Sequence, residues 1–155
     1  MRYCQQTTKL HPLSIKFPQY LCKINFIIKE NNGNSFPFDN EIAINLDKVK
    51  EVQNISNMDS MDMTFGISQG NNKKMLLVEL KLDCHVITNF KKVNYIKKIK
   101  DSITLLSGGG EPIYNKHVFI FNDKLLKQSR SVIGRFLHNA SAEVLSIDEL
   151  KANYF

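Results

Sequence analysis

Two neighbouring segments alternate between apolar and polar residues, which is the pattern of β-strands that bury one face. Six residues separate the segments, Gln-Gly-Asn-Asn-Lys-Lys at 69–74, and their composition predicts a turn. The sequence therefore predicts a β-hairpin over 61–83. Its apolar face would carry Met61, Met63, Phe65 and Ile67 from the first strand and Leu76, Val78, Leu80 and Leu82 from the second.

The pairing register of this hairpin follows from the parity of its apolar residues, because a slip of one residue turns a strand over. The apolar residues are odd-numbered in the first strand and even-numbered in the second, so opposed residues must sum to an odd number. A turn centred between Gly70 and Asn71 meets this condition and sets Asp62 opposite Glu79. Lys81 then follows on the same polar face. The alternative register brings Asp59 to that face in place of Asp62 and mismatches the apolar stripes.

The polar face has a chemical and a structural interpretation. Opposed Cβ atoms lie about 4.5–5.5 Å apart, and two carboxylates that close can share a divalent cation. Bare charges at about 5 Å repel by roughly 0.8 kcal/mol in water and roughly 3 kcal/mol at an effective dielectric constant near 20. An open, solvated face therefore needs no cation, whereas a covered cleft does. Leu77 interrupts the polar residues and indicates that the face is partly covered.

Asp62 lies on one predicted strand, and Glu79 and Lys81 form a Glu-x-Lys sequence on the next. This arrangement resembles the motif of the PD-(D/E)xK nuclease superfamily. The resemblance covers about 59–122, with Met61 where a proline often precedes the Asp. It implies a restriction-endonuclease-like core in which the two acidic residues hold Mg²⁺ or Mn²⁺. It also implies that the lysine positions the attacking water and steadies charge at the phosphate. Glu41 and Glu51 are the candidates for a further acidic residue, which the family carries on an N-terminal helix.

The segments after the hairpin predict an α/β (α+β) fold, a central mixed β-sheet flanked by helices. We expect a helix over 89–106, a strand over 117–121, a helix over 124–137 capped by Asp123, a strand over 142–147 and a short C-terminal turn or helix from Asp148. A right-handed crossover should place strand 117–121 parallel to the Glu-x-Lys strand.

The N-terminal third is less clearly patterned. We expect residues 1–12 to be irregular and 20–28, rich in β-forming residues, to be a strand. Segment 39–55 fits a helix capped by Asp39 or Asn40, which we favour, and equally a short strand over 42–46. We predict a single domain over 1–155, with a nuclease-like core at 56–147 and an N-terminal extension at 1–55.

The predicted helix 89–106 carries a cluster of lysines on one side. An apolar stripe of Phe90, Val93, Ile96, Ile99, Ile103 and Leu106 would face the core. The cluster fits either a solvated helix face or phosphate contacts beside the acidic pair, and Tyr95 within it could stack on a base or pack at the boundary. The lysines are Lys91, Lys92, Lys97, Lys98 and Lys100.

Bulk properties exclude several classes of protein. The chain has no apolar run of 18 residues and no apolar signal-peptide centre at its start, so we expect a cytoplasmic protein with no membrane partner. Its three widely spaced cysteines argue against a disulfide framework and a zinc site. The formal net charge of +6 permits a polyanionic partner.

These observations lead to one favoured function and one alternative. The favoured function is a Mg²⁺- or Mn²⁺-dependent nuclease that hydrolyses phosphodiester bonds, with DNA as the expected nucleic acid and Asp62, Glu79 and Lys81 as the catalytic residues. The alternative is a non-catalytic binding module of the same fold: a partner-binding subunit, an immunity or antitoxin protein, or a regulator. A protein partner or a homodimer is expected in either case.

Overall fold

The computed structural model describes residues 1–55, 57–87, 90–137 and 142–155. A short 3₁₀ turn at Pro18–Tyr20 precedes the second strand. No helix in these ranges is long and apolar enough to cross a membrane. The elements in chain order are β1 (Arg2–Tyr3), α1 (Gln5–Leu10), α2 (Pro12–Lys16), β2 (Leu21–Lys23), α3 (Ile24–Glu30), β3 (Ile42–Asn45), α4 (Leu46–Val52), β4 (Met63–Gln69), β5 (Asn72–Lys81), α5 (Lys92–Leu106), β6 (His117–Phe121), α6 (Asp123–Phe136), β7 (Ala142–Leu145) and α7 (Ile147–Tyr154).

The strands form one mixed sheet in the order β2-β3-β4-β5-β6-β7, and β1 pairs with β4 beside β3. The first part, β2 to β5, is antiparallel. The second part is parallel, because α5 connects β5 to β6 and α6 connects β6 to β7. The predicted mixed sheet flanked by helices is confirmed, as is the parallel pairing of strand 117–121 with the Glu-x-Lys strand.

The hairpin of β4 and β5 has the predicted register. Met63 lies opposite Val78 and Phe65 opposite Leu76, so paired residues sum to the predicted odd number and Asp62 extends the ladder towards Glu79. The turn is tighter than predicted, since Gln69 already pairs with Asn72. Gly70 makes this two-residue connection possible because its φ of +58° is readily adopted by glycine.

Helices cover both faces of the sheet, so the polar face of the hairpin is buried. One apolar cluster joins Phe65 and Val78 to side chains of α3 and α7. The other joins Leu77 and Phe119 to side chains of α2, α4, α5 and α6. Leu77 thus marks a covered face, as the sequence indicates. Met61 precedes β4 and belongs to the second cluster, so its predicted place beside Met63 on the apolar face is wrong.

The N-terminal segments differ from prediction because their short apolar runs fit both the periodicity of a strand and that of a helix. Residues 1–12 are not irregular, since β1 and α1 lie within them. Segment 20–28 is a strand only at Leu21–Lys23. It then becomes α3, which buries Ile24, Ile27 and Ile28 at helical spacing. Segment 39–55 contains both of the weighed elements, a strand at 42–45 followed by a helix at 46–52 that is capped by Asn45.

The C-terminal elements follow the predicted order with shifted caps. The long helix begins at Lys92, and predicted helix residue 89 lies outside the described residues. Asn122, not Asp123, caps α6, since its side chain accepts a hydrogen bond from the backbone N–H of Leu125. Strand β7 is confirmed at 142–145, and Ser146 caps α7 with a capping box.

Candidate functional site

Glu79 lies in the middle of the sheet, on the face covered by α5. It sits on β5 opposite Phe119 of β6, and its side chain is fully buried. Its Oε1 atom is 2.7 Å from Nζ of Lys81 and 2.7 Å from Nζ of Lys98. Its Oε2 atom has no hydrogen-bond partner within the described parts of the chain. One oxygen of this carboxylate is therefore doubly paired, and the other is left without a donor.

Asp62 directly precedes β4 and approaches Glu79 from there. The residue is 6 % exposed, and its Oδ2 accepts a hydrogen bond from the backbone N–H of Leu80, the residue after Glu79. Burial and the charge of Glu79 raise the pKa of Asp62 to about 8. The structure therefore brings the three predicted catalytic residues, Asp62, Glu79 and Lys81, to one place.

The backbone around Asp62 is held by its neighbours on two elements. The N–H of Met61 donates to Oγ of Ser102 on α5 at 2.8 Å, and both groups are buried. The carbonyl of Asp62 accepts from the N–H of Leu46 at the start of α4 at 3.0 Å. These two bonds fix the entry to β4 and with it the position of the carboxylate.

Lys98 completes the site from α5, and sequence reasoning placed it only among the surface lysines. Burial lowers the pKa of Lys98, but the charges of Glu79, Asp62 and Asp47 outweigh that effect and the pKa lies above its usual value. When both acids are ionised, the site holds two carboxylates and two ammonium groups, and their charges cancel. Because the pKa of Asp62 is raised to about 8, Asp62 keeps its proton at neutral pH, and the two lysines then outweigh the charge of Glu79.

Asp47 is a further acidic residue near the site that sequence reasoning missed. It lies in the first turn of α4, where its Oδ1 accepts a hydrogen bond from Oγ of Ser60 at 2.8 Å, and its charge contributes to the pKa values of both Asp62 and Lys98.

The two acidic residues predicted from the sequence, Glu41 and Glu51, lie elsewhere. Glu41 pairs with Lys151, and Glu51 lies 3.6 Å from Lys48. Recognising Asn45 as the helix cap would have placed Asp47 in an N-terminal turn.

The lysine cluster of α5 is not one uniform surface. Lys98 points to Glu79, whereas Lys97 pairs with Asp101 at 2.7 Å and with Asp59 at 3.1 Å. The predicted apolar stripe is rotated: Tyr95, Ser102, Leu105 and Leu106 are buried, while Val93 and Ile103 are exposed. The remaining cluster members are exposed and available to a polyanion: Lys91, Lys92 and Lys100.

A cleft of ≈ 320 Å³ lies beside the acidic pair, along the first two turns of α5. Tyr95 forms part of its wall. This residue is buried, with its ring parallel to Phe90 at 5.3 Å and edge-on to Phe119 at 5.2 Å, so the packing interpretation of Tyr95 is the one the structure supports. The residues that line the cleft are Lys81, Asp83, Cys84, Phe90, Lys91, Asn94, Tyr95 and Lys98.

The donor set suits a hard cation rather than a soft one. Within the ranges described, no group of three or more His, Cys, Asp and Glu side chains is placed to hold a metal. Two carboxylates are nevertheless the usual protein contribution to a Mg²⁺ site, where water and substrate phosphate supply the other ligands. Compared with known proteins, the chain matches no family model, no curated protein and no solved structure.

Proposed function

We propose that this protein is a nuclease that uses Mg²⁺ or Mn²⁺ to hydrolyse phosphodiester bonds, with DNA as its expected substrate. The observation that carries the proposal is a buried pair of carboxylates, Asp62 directly before β4 and Glu79 on the adjoining β5, with the amine of Lys81 against Glu79. This is the residue set that the resemblance to the PD-(D/E)xK superfamily implies. The order of the hairpin, a helix and a parallel strand around it also agrees with that resemblance.

Asp62 and Glu79 are the residues that would hold the cation. Oε2 of Glu79 lacks a partner among the residues described, and the raised pKa of Asp62 reflects a negative charge that a cation would offset. A bound divalent cation would stabilise charge at the phosphate and lower the pKa of a water molecule. Oε2 of Glu79 and the raised pKa of Asp62 therefore both support a metal-binding role for these two carboxyl groups.

The two lysines would act on the substrate from the cleft. Side chains of Lys81 and Lys98 are 29 % and 26 % exposed, so each reaches solvent while contacting Glu79. Either ammonium group can donate to a phosphate oxygen, and Lys81 can orient a water molecule for in-line attack. Exposed lysines on α5 would add sequence-independent phosphate contacts.

The proposal extends to location and assembly. All three cysteines are free thiols, in keeping with a reducing compartment such as the cytoplasm. A single set of site residues cuts one strand at a time, so a homodimer or a protein partner would supply a second site for the other strand of a duplex.

A non-catalytic module is the second candidate, and Lys98 is the observation that favours it. Together with Lys81 it places two ammonium groups 2.7 Å from Glu79, so the charges of the buried acids are compensated without a metal. A partner-binding subunit, an immunity or antitoxin protein, or a regulator would retain such a site as part of its core.

A cleavage assay separates the two candidates. Purified protein is incubated with plasmid, single-stranded DNA and RNA in MgCl₂ or MnCl₂, beside Glu79→Gln, Lys81→Met and the surface control Glu51→Gln. We expect cleavage by the wild type and Glu51→Gln, and at least about a 100-fold loss in the other two. Absence of cleavage under every condition, or equal cleavage by Glu79→Gln, would refute the nuclease function.

Calorimetric titration with Mn²⁺ tests the metal site apart from turnover. The wild type should bind Mn²⁺, Asp62→Asn and Glu79→Gln should lose the binding, and Lys81→Met should retain it because lysine is not a ligand. Equal binding by wild type and both acid variants would place any metal elsewhere.

A further inference from the structure

The cleft along α5 is lined by the two lysines that pair with Glu79. Lys81 and Lys98 both contact the same oxygen of Glu79 at 2.7 Å. Whatever fills the cleft therefore lies against the ammonium groups that the proposed function assigns to the substrate.

The charges of the cleft suit a phosphate group. Three of its lining residues are lysines, Lys81, Lys91 and Lys98, and one is acidic, Asp83. Asn94, exposed on the second turn of α5, adds an amide that can both donate and accept hydrogen bonds. The lining is thus mainly cationic and polar.

One wall of the cleft is aromatic. Phe90 is half-buried and lies parallel to Tyr95 with an interplanar angle of 7°, so the two rings form one rigid stack. Phe90 is further supported by Phe121 at 5.3 Å between ring centroids. A flat ring beside cationic groups matches the two parts of a nucleotide, because bases stack on aromatic side chains and phosphates pair with lysine.

We propose that this cleft holds one nucleotide of a single-stranded nucleic acid, with its base against Phe90 and its phosphate among the three lysines that line the cleft, Lys81, Lys91 and Lys98. The choice of a nucleic acid rests on the proposed function. The choice of a single strand rests on the cleft, because a duplex base reaches such a wall only after it has been unstacked and unpaired. A free mononucleotide has the same chemistry, so the test must separate it from a strand.

Binding measured in EDTA tests this proposal without cleavage. Fluorescence anisotropy compares a labelled oligothymidine of about 12 nucleotides, within the range a small binding surface occupies, with a duplex of the same length. Thymidine monophosphate serves as a competitor. We expect the single strand to bind at least about ten-fold more tightly than the duplex, and the mononucleotide to compete only at concentrations far above the strand's Kd.

Matched variants locate the binding. Lys91→Glu changes a cleft lysine. Lys29→Glu makes the same change at an exposed lysine of α3, on the opposite face of the sheet from α5. Lys91→Glu should weaken single-strand binding by at least about ten-fold and lower the slope of log K against log salt by about 0.7, the value for one lost phosphate contact. Lys29→Glu should change affinity by less than about two-fold. Phe90→Leu, checked by circular dichroism, should weaken binding by at least about five-fold through loss of stacking.

Several outcomes would overturn the proposal: no binding, equal binding of duplex and single strand, equal losses from Lys91→Glu and Lys29→Glu, or competition by the mononucleotide at the strand's own concentration. These results differ from failure of the nuclease function. A protein that binds single strands through Lys91 and Phe90 yet cuts nothing would retain the cleft assignment and lose the catalytic one. A Glu79-dependent nuclease that binds duplex equally well would do the reverse.

Discussion

Replacement of Lys98 by methionine tests whether its ammonium group balances the buried acids. Methionine keeps an unbranched apolar side chain and removes the charge. At 2.7 Å and an effective dielectric constant of 20, the attraction between Lys98 and Glu79 is about 6 kcal/mol before desolvation is subtracted. Removing one partner of a buried ion pair typically costs about 3–5 kcal/mol. Because Lys81 remains on the same oxygen, we expect a loss near 3 kcal/mol in the free energy of unfolding.

The assay is urea unfolding followed by circular dichroism, in EDTA and in MnCl₂. A loss of about 3 kcal/mol in the free energy of unfolding corresponds, if the protein is heated instead, to a melting temperature lower by about 6–12 °C in a domain of 155 residues. Without Lys98 the acids need another cation, so Mn²⁺ at about 100 times its Kd should restore about 2.7 kcal/mol. Lys97→Met is the control, since Lys97 pairs with Asp101 at the same 2.7 Å but on the exposed side of α5. In each condition, with or without Mn²⁺, the urea midpoint of Lys97→Met should stay close to that of the wild type.

Two results would refute this reasoning. If Lys98→Met unfolds at the wild-type urea concentration in EDTA, the ammonium group does not compensate the buried acids. If it is destabilised but Mn²⁺ restores no more stability than in the wild type, the acidic pair does not accept a divalent cation, and the loss reflects packing alone.

Two further predictions concern the acid beside Glu79 and its anchor. Asp62 keeps its proton in the folded protein up to a pKa of about 8, because of burial and the charge of Glu79, and releases it near pH 3.9 when unfolded. Its stabilising contribution is therefore complete below about pH 4 and is lost as the pH rises through about 8. Urea midpoints across this range should fall more steeply in the wild type than in Asp62→Asn, and parallel curves would contradict the assignment. Ser102→Ala should cost about 1–3 kcal/mol, because the buried N–H of Met61 loses its acceptor. Urea unfolding measures the cost, and an unchanged midpoint would show that this bond does not hold the entry to β4.

The hairpin register was predictable from sequence because parity is a strict constraint. Two apolar stripes must share one face, which excludes every even-sum register. A turn centred between Gly70 and Asn71 then sets Met63 opposite Val78 and carries Asp62 towards Glu79. The length of the turn was not fixed by the same pattern. Polar residues at 72–74 read as a loop, yet they extend β5 beyond the core, where a strand has no need of apolar side chains.

The N-terminal elements were not predictable with the same rigour because their apolar runs are short. Ile24, Ile27 and Ile28 fit one turn of an amphipathic helix, but they follow β-forming residues directly, and only packing against the sheet decides where the strand ends. The same ambiguity hid the change from strand to helix at Asn45, and with it the position of Asp47 near the site.

The role of Lys98 was hidden by the composition of α5. Its apolar residues suggest a core stripe through Val93 and Ile103, but the buried face carries Tyr95 and Ser102, which a hydrophobicity pattern undervalues. The buried hydroxyl of Ser102 receives the N–H of Met61, so this face is chosen by hydrogen bonding as well as by apolar area.

The balanced charges of the site have a consequence for how ligands would bind. With both acids ionised, Asp62, Glu79, Lys81 and Lys98 sum to zero, and a divalent cation alone would bring the site to +2. A phosphodiester entering the cleft would offset part of that charge, while Lys81 and Lys98, long side chains that already line the cleft, could turn from Glu79 to the phosphate. Each ligand would thereby offset the excess charge that the other brings to the site. Metal and polyanion should therefore bind more tightly together than either does alone.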